Sequence, residues 1–259
     1  MDFTLNKYAE LMSELKGHEY ATITFANYCK GNRPQRYAIL RHDVDQKPAN
    51  SLKTAEIEAE MGVKASYYFR AVPESWDEAI IKKIAELGHE VGYHYESLTT
   101  CNGDTKAAYE DFRQHLEALR QLTTVETICM HGSPRSPYDS KDIWNHYPYR
   151  DLGIIGEPYL DTDFAQMFYL TDTGRRWDGY KVSVRDKIEG YQDEWTRQGL
   201  TFHTTDDIIN AIKAKRLPEK VMFTTHPQRW NDFGLAWVTE IAMQNMKNVV
   251  KRFIVARGK

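Results

Sequence analysis

Short apolar runs alternate along this chain with stretches that repeat apolar residues every three or four positions. Residues 37–40, 65–69, 90–93 and 127–130 read as buried strands, and 152–155, 167–170, 200–202 and 221–224 as further candidates. Between them lie helix-period segments. Asn50 is placed to cap a helix carrying Leu52, Ala55 and Ala59, with Gly62 just past its end. A second helix carries Ile80, Ile81, Ile84 and Leu87 and stops at Gly88. Asp104 opens a third, with Ala108, Phe112, Leu116, Leu119 and Leu122 on one stripe. Thr205 or Asp206 is expected to cap a helix with Ile208, Ile209 and Ile212, and a last helix to run over 236–253. Leu5, Tyr8, Met12 and Leu15 place a covering helix in residues 1–30. Strand–helix alternation on this scale predicts an α/β protein with parallel strands. Seven or eight such strands predict a closed or nearly closed barrel of the TIM type, ahead of an open doubly wound sheet. No linker or fixed-period repeat divides the 259 residues, so 1–259 reads as one domain.

Composition narrows the function classes. Lys and Arg number 34 and Asp and Glu 37, a net charge of −3, which argues against a dedicated nucleic-acid binder. No apolar run approaches a membrane span, and the N-terminus lacks the pattern of a secretory signal. Three cysteines (Cys29, Cys101, Cys129) show no metal-binding spacing and suit a reducing compartment. A cytoplasmic location is therefore expected, with no charge-driven partner. The oligomeric state is not legible.

The candidate chemistry lies just after the apolar runs. The first is followed by Arg41-His42-Asp43-Val44-Asp45, the second by Arg70, the third by His94 and the fourth by His131; later ones precede Glu157, Asp172, His203 and His226. Parallel α/β folds bring all C-terminal strand ends to one face, where sites are built. His94, His131 and His226, with His42 close by, are expected at one mouth. Asp43 and Asp45 are two apart, so in an extended chain both carboxylates share a side, about 6–7 Å apart. That suits one as metal ligand and the other as general base. His94 adds the neutral nitrogen that completes the ligand mix of a catalytic metal site. In Met130-His131-Gly132-Ser133-Pro134, Gly and Pro shape a loop that could aim His131 inward. His226, followed by Pro227 and Trp230, reads as a general acid beside a sugar-stacking aromatic or a core one. Tyr95 is a second candidate platform. Arg175 in the 172–179 loop, and Arg135, offer donors to a substrate or to structural salt bridges.

The strings Leu40-Arg41-His42-Asp43-Val44-Asp45, Leu87-Gly88-His89-Glu90-Val91-Gly92-Tyr93-His94 and Thr225-His226 resemble the polysaccharide deacetylase family. These are metal-dependent carbohydrate esterases related to chitooligosaccharide deacetylases. His-Gly-Ser-Pro at 131–134 and Thr-His-Pro-Gln-Arg-Trp at 225–230 look like a divergent branch associated with bacterial surface-polysaccharide gene sets. The resemblance implies a distorted (β/α) barrel that hydrolyses an N- or O-acetyl group on a sugar or sugar precursor. By it, Asp43 matches the general base, Asp45 and His94 the metal ligands, and His226 the general acid. Zinc is the first expectation for the divalent metal, with nickel, cobalt and iron compatible with the same ligands. The family's second motif histidine, four residues after His94, is here Leu98. His131 is the first choice to replace it as third ligand, ahead of Glu96. Two other readings stay open: a metal-independent cyclic amide or ureide hydrolase of the same fold, and a carbohydrate-binding pseudoenzyme without catalysis.

Overall fold

Seven strands, all parallel, form the centre of the computed structural model, which describes residues 1–133, 136–177, 188, 190–232, 234, 235, 237–244 and 246. They are β1 (Ala21–Ile23), β2 (Tyr37–Val44), β3 (Ser66–Phe69), β4 (Glu90–Tyr95), β5 (Ile128–Met130), β6 (Phe168–Thr171) and β7 (Lys220–Thr225). Their order is β5-β4-β3-β2-β7-β6. One edge of β2 is shared: β1 pairs with residues 37–39 and β3 with residues 41–44, while β7 lines the other edge over 37–42. The sheet curls into a distorted barrel. Among the described strands β5 and β6 share no ladder, so the barrel is open between them.

Helices cover the outside: α1 (Leu5–Gly17), α2 (Phe25–Cys29), α3 (Pro48–Glu60), α4 (Glu78–Glu86), α5 (Ser97–Thr100), α6 (Thr105–Arg120), α7 (Pro158–Asp161), α8 (Gln192–Arg197) and α9 (Thr205–Lys213). The predicted stripes are the buried ones. Leu5, Tyr8, Met12 and Leu15 bury one face of α1 against α3 and α9, and Ala108, Phe112, Leu116 and Leu119 bury one face of α6. Each such side chain contributes about 1.5–3 kcal/mol of transfer free energy. Gly88 follows α4 at φ +84°, the left-handed geometry that closes a helix cheaply only with glycine.

Several expected boundaries differ. β2 runs on to Val44 because Arg41, His42 and Asp43 are buried and paired, although their polarity looks like a strand end. The helix over residue 50 starts earlier, with Pro48 in its first turn. The Asn50 side chain instead donates to the carbonyls of Pro227 and Trp230 and to Asn231 Oδ1. Thr204, not Thr205 or Asp206, caps α9, in a reciprocal box with Asp207. Residues 152–155 and 200–202 form no strand. The first follow a 3-10 turn (Tyr149–Leu152), and Leu200 N closes the turn after α8 onto the Trp195 carbonyl. β1 and α2 went unforeseen. Of the expected 236–253 helix, the Val238 N to Gly234 O bond starts a helical turn, and 236, 245 and 247–253 lie outside the described residues. Among the described residues no helix is long and apolar enough to cross a membrane.

Candidate metal centre

Alternation along β2 decides which side chains meet. Arg41 and Asp43 share a side, and Asp45, just past the strand, continues it. Arg41 grips Asp43 with two parallel hydrogen bonds, Nε to Oδ1 at 3.0 Å and Nη2 to Oδ2 at 2.8 Å. Both groups are buried. Burial alone would raise the Asp43 pKa, but the Arg41 guanidinium, with His94 and His226, holds it below the usual carboxylate value. Asp43 is therefore a carboxylate at neutral pH.

Asp45 lies between two imidazoles. Its Oδ1 is 3.6 Å from His94 Nε2 and 3.5 Å from His131 Nε2. That oxygen is buried and makes no hydrogen bond. The tautomers of both histidines follow from their other nitrogens. His94 Nδ1 lies 2.9 Å from the Cys129 carbonyl and His131 Nδ1 lies 2.8 Å from Glu96 Oε2. Neither oxygen can donate, so each Nδ1 carries a hydrogen and each Nε2 is the atom turned to Asp45. Glu96 is itself fixed by Arg70, whose Nε and Nη2 reach its Oε1 at 2.9 and 2.5 Å. Burial works against the Glu96 charge, but His131 and Arg70 hold its pKa down at about 2. A carboxylate behind an imidazole fixes the ring and raises its basicity, as in many metal sites.

Asp45, His94 and His131 can each offer a ligand atom, all within 4.8 Å of one another. One carboxylate oxygen and two imidazole nitrogens converging on one point fit a divalent cation of borderline softness, zinc included. Asp43, His94 and Cys129 form a second triple within the same limit. It fits less well, because both Asp43 oxygens are engaged by Arg41.

His226 stands just after β7, the strand paired with β2. Its Nε2 is 3.9 Å from Asp45 Oδ2 and its Nδ1 is 2.6 Å from Asp172 Oδ1. Asp172 also accepts from the His226 backbone N–H (2.9 Å), Arg229 Nη1 (2.5 Å) and Trp230 Nε1 (2.9 Å). Arg229 Nη1 and His226 Nδ1, 2.7 Å apart, both donate to Asp172 Oδ1 and so share an acceptor. Burial would raise the Asp172 pKa, but Arg229 and His226 bring it to about 2.

The other expected site residues fall elsewhere. His42 points to the outer face of β2, between α1 and α3, not into the mouth, because it lies one residue out of step with Arg41 and Asp43. Tyr95 is fully buried. Its hydroxyl accepts from Trp144 Nε1 at 2.7 Å and its ring packs on Phe112 and Trp144. Trp230 is fully buried against Phe3, Tyr8 and Trp177. Neither ring can stack on a substrate at the mouth. Arg175 Nη1 binds the Arg229 carbonyl at 3.1 Å and its guanidinium lies over Phe3, so it ties chain segments together. Arg135 lies outside the described residues. Leu98, at the missing-histidine position, packs with Ala108 and Ile143. Arg41, Glu96, Asp172 and Gln228 complete the site. Asp172 and Arg41 were visible as polar residues after apolar runs, Glu96 only as a spare ligand, and Gln228 carried no signal of its own.

No protein-family profile matches the sequence, and no curated protein matches it significantly. Solved structures resemble the fold distantly. A CE4 family pseudoenzyme from Bacillus anthracis matches with TM-score 0.44 and 13% identity, over 84% of this chain and 62% of that one. PdaA of Bacillus subtilis, a family 4 carbohydrate esterase, matches with TM-score 0.39 and 10% identity, over 92% and 82%. The Xyl-CE4 domain of a multidomain xylanase from the hindgut metagenome of Trinervitermes trinervoides gives 0.39 and 10%, over 87% and 84%. This chain thus spans less than two thirds of the pseudoenzyme's length. What it does has to be read from its own side chains.

Proposed function

We propose that this chain is a metal-dependent hydrolase that removes an acetyl group from a sugar or sugar precursor, as the polysaccharide deacetylase resemblance implies. Asp45, His94 and His131 are the ligands. The observation that carries this reading is the convergence of the buried Asp45 Oδ1 with the Nε2 atoms of His94 and His131. When bound, a divalent ion supplies Lewis acidity, polarising a carbonyl oxygen and making nearby water more acidic. Asp43, kept ionised by Arg41, accepts a proton from the attacking water. His226, its Nδ1–H held by Asp172, carries a proton on Nε2 and delivers it to the leaving nitrogen or oxygen. Asp43 on β2 and His226 just past β7 lie side by side across one strand pair. Surface-polysaccharide metabolism is the setting the 131–134 and 225–230 strings point to.

The metal-independent reading leaves Asp45 Oδ1 without a partner and has no observation in its favour. Acetate release from N-acetylated sugars, measured beside metal content, tests the proposal. Protein with one zinc per chain should turn over, and chelation should abolish turnover with zinc restoring it. Activity that survives complete removal of the metal would contradict it.

A further inference from the structure

The helix that follows β7 has two faces of opposite character. Residues 235, 237–244 and 246 are helical. Trp237, Glu240, Ile241 and Gln244, three and four apart, form its inner side. Trp237 Nε1 donates to the Asp2 carbonyl at 2.9 Å, Glu240 is buried with Lys47 Nζ 3.3 Å away, and Gln244 is buried. Glu240 and Gln244 line a cavity of about 420 Å³ over Asp45 and His131. Gln228, whose Nε2 donates to Asp45 Oδ2 at 3.1 Å, lines the same cavity. The inner side is thus a wall of the candidate metal site.

The outer side is apolar. Leu235, Val238, Ala242 and Met246 repeat there at the same helical spacing, with Met243 beside them, and all five are exposed. Leu235 is 88% exposed and Met246 66%. Among the described residues the other exposed large apolar side chains are Met1 and Leu160, so four of six fall within twelve positions. Single exposed apolar residues are ordinary, whereas a contiguous stripe marks an interaction face. Charge narrows what covers it. Residues 234–246 carry one acid, Glu240, and it is on the inner side. Asp232, just before the helix, is paired with Lys53 at 2.9 Å, and Glu74 lines the cavity. The sequence that follows, 247–259, holds Lys247, Lys251, Arg252, Arg257 and Lys259 and no Asp or Glu. The whole-chain charge of −3 hides this asymmetry.

We propose that this outer face docks on an anionic lipid surface, with Leu235, Val238, Met243 and Met246 entering the boundary between headgroups and acyl chains and the 247–259 cations meeting the lipid anions. An apolar stripe joined to Lys and Arg, on a helix that does not span, is the pattern of a segment lying in the plane of a membrane surface. Each Lys or Arg close to such a surface strengthens binding about fivefold. A second copy of the chain would cover the stripe and leave the five cations without a partner. The docking is independent of the hydrolase reading. Its consequence for the site is positional: the cavity over Asp45 lies one helix diameter, about 10 Å, behind the lipid headgroups.

Flotation of the full chain with phosphatidylcholine vesicles, with and without phosphatidylserine, tests this. The wild type should bind the anionic vesicles about tenfold or more tightly than the neutral ones, and raising the salt from about 0.1 M to about 0.5 M should weaken that binding. Leu235→Glu combined with Met246→Glu puts acids into the stripe and should cost about tenfold or more. Leu160→Glu, the same change at an exposed position of α7, should bind as the wild type does. Lys251→Gln combined with Arg252→Gln should weaken binding to the anionic vesicles by about 25-fold, the worth of two charges. Equal binding of the two kinds of vesicle by the wild type, or unchanged binding in the Leu235→Glu, Met246→Glu protein, overturns the proposal. A wild type that ignores vesicles and forms a dimer lost in that variant overturns it too, and assigns the face to a second copy.

Discussion

Strand β2 divides two clusters built from the same residue types. On its inner side are Asp43, Asp45, His94, His131 and His226. On its outer side are His42, Glu58 and His89, with Tyr8 and Tyr67. In the outer cluster Glu58 accepts from His42 Nε2 (2.7 Å), Tyr67 (2.6 Å) and Tyr8, and Thr225 bonds the other ring nitrogen of His42. His89 donates Nε2–H to the Ala55 carbonyl at 3.0 Å, and burial lowers its pKa, so it stays neutral. Its Nδ1, 3.6 Å from Glu58 Oε2, is the one cluster atom without a hydrogen bond. The outer carboxylate already accepts three hydrogen bonds across both oxygens. The inner one, Asp45, keeps an oxygen with no hydrogen bond between the Nε2 atoms of two imidazoles. Buried Asp, Glu and His therefore do not by themselves mark a site. What separates the two sides of β2 is whether the polar atoms are already spent on one another.

Substitutions on each side should separate metal binding from stability. The largest effect is expected for Asp45→Ala, with zinc affinity falling about a thousandfold (about 4 kcal/mol) through loss of the charged ligand. Unfolding of the metal-free protein by urea should shift by no more than about 1 kcal/mol, since an unpaired buried acceptor is removed with it. Glu58→Gln should do the reverse. It breaks a buried carboxylate network and should lower urea stability by about 3 kcal/mol, with zinc affinity of the folded protein unchanged. Equal effects of the two substitutions on both measurements would erase the distinction.

Asp172 sharpens the comparison, because it lies on the inner side yet is as fully engaged as Glu58. Its folded pKa of about 2 lies below the 3.8 of an unperturbed aspartate. The folded state therefore binds its proton less readily than the unfolded chain. The stability it contributes is fully present above about pH 4 and is lost as pH falls through 2. That loss is worth about 2 kcal/mol. Urea unfolding between pH 6 and pH 2 should show this share of the decline in the wild type, and a curve flatter by that amount in Asp172→Asn.

Much of this was legible in the sequence. Four strands, the stripes of α1 and α6, and the placement of Asp43, Asp45, His94, His131 and His226 after apolar runs all follow from periodicity. What failed had physical causes. His42 was assigned to the mouth because polarity after an apolar run looks like a strand end, whereas β2 continues and alternation turns His42 outward. Tyr95 and Trp230 follow site histidines, but both rings are core, their polar atoms meeting Trp144 and Asp172. Gln228 and Glu96 act through hydrogen bonds to partners 183 and 35 residues away, which no local pattern encodes.

Diffraction from crystals soaked in zinc, recorded on both sides of the zinc absorption edge, tests the central claim most directly. One anomalous peak should appear about 2.0–2.2 Å from an Asp45 carboxylate oxygen, His94 Nε2 and His131 Nε2. Absence of a peak at full zinc occupancy in solution, or a peak bonded to Asp43, His94 and Cys129 instead, would contradict the account.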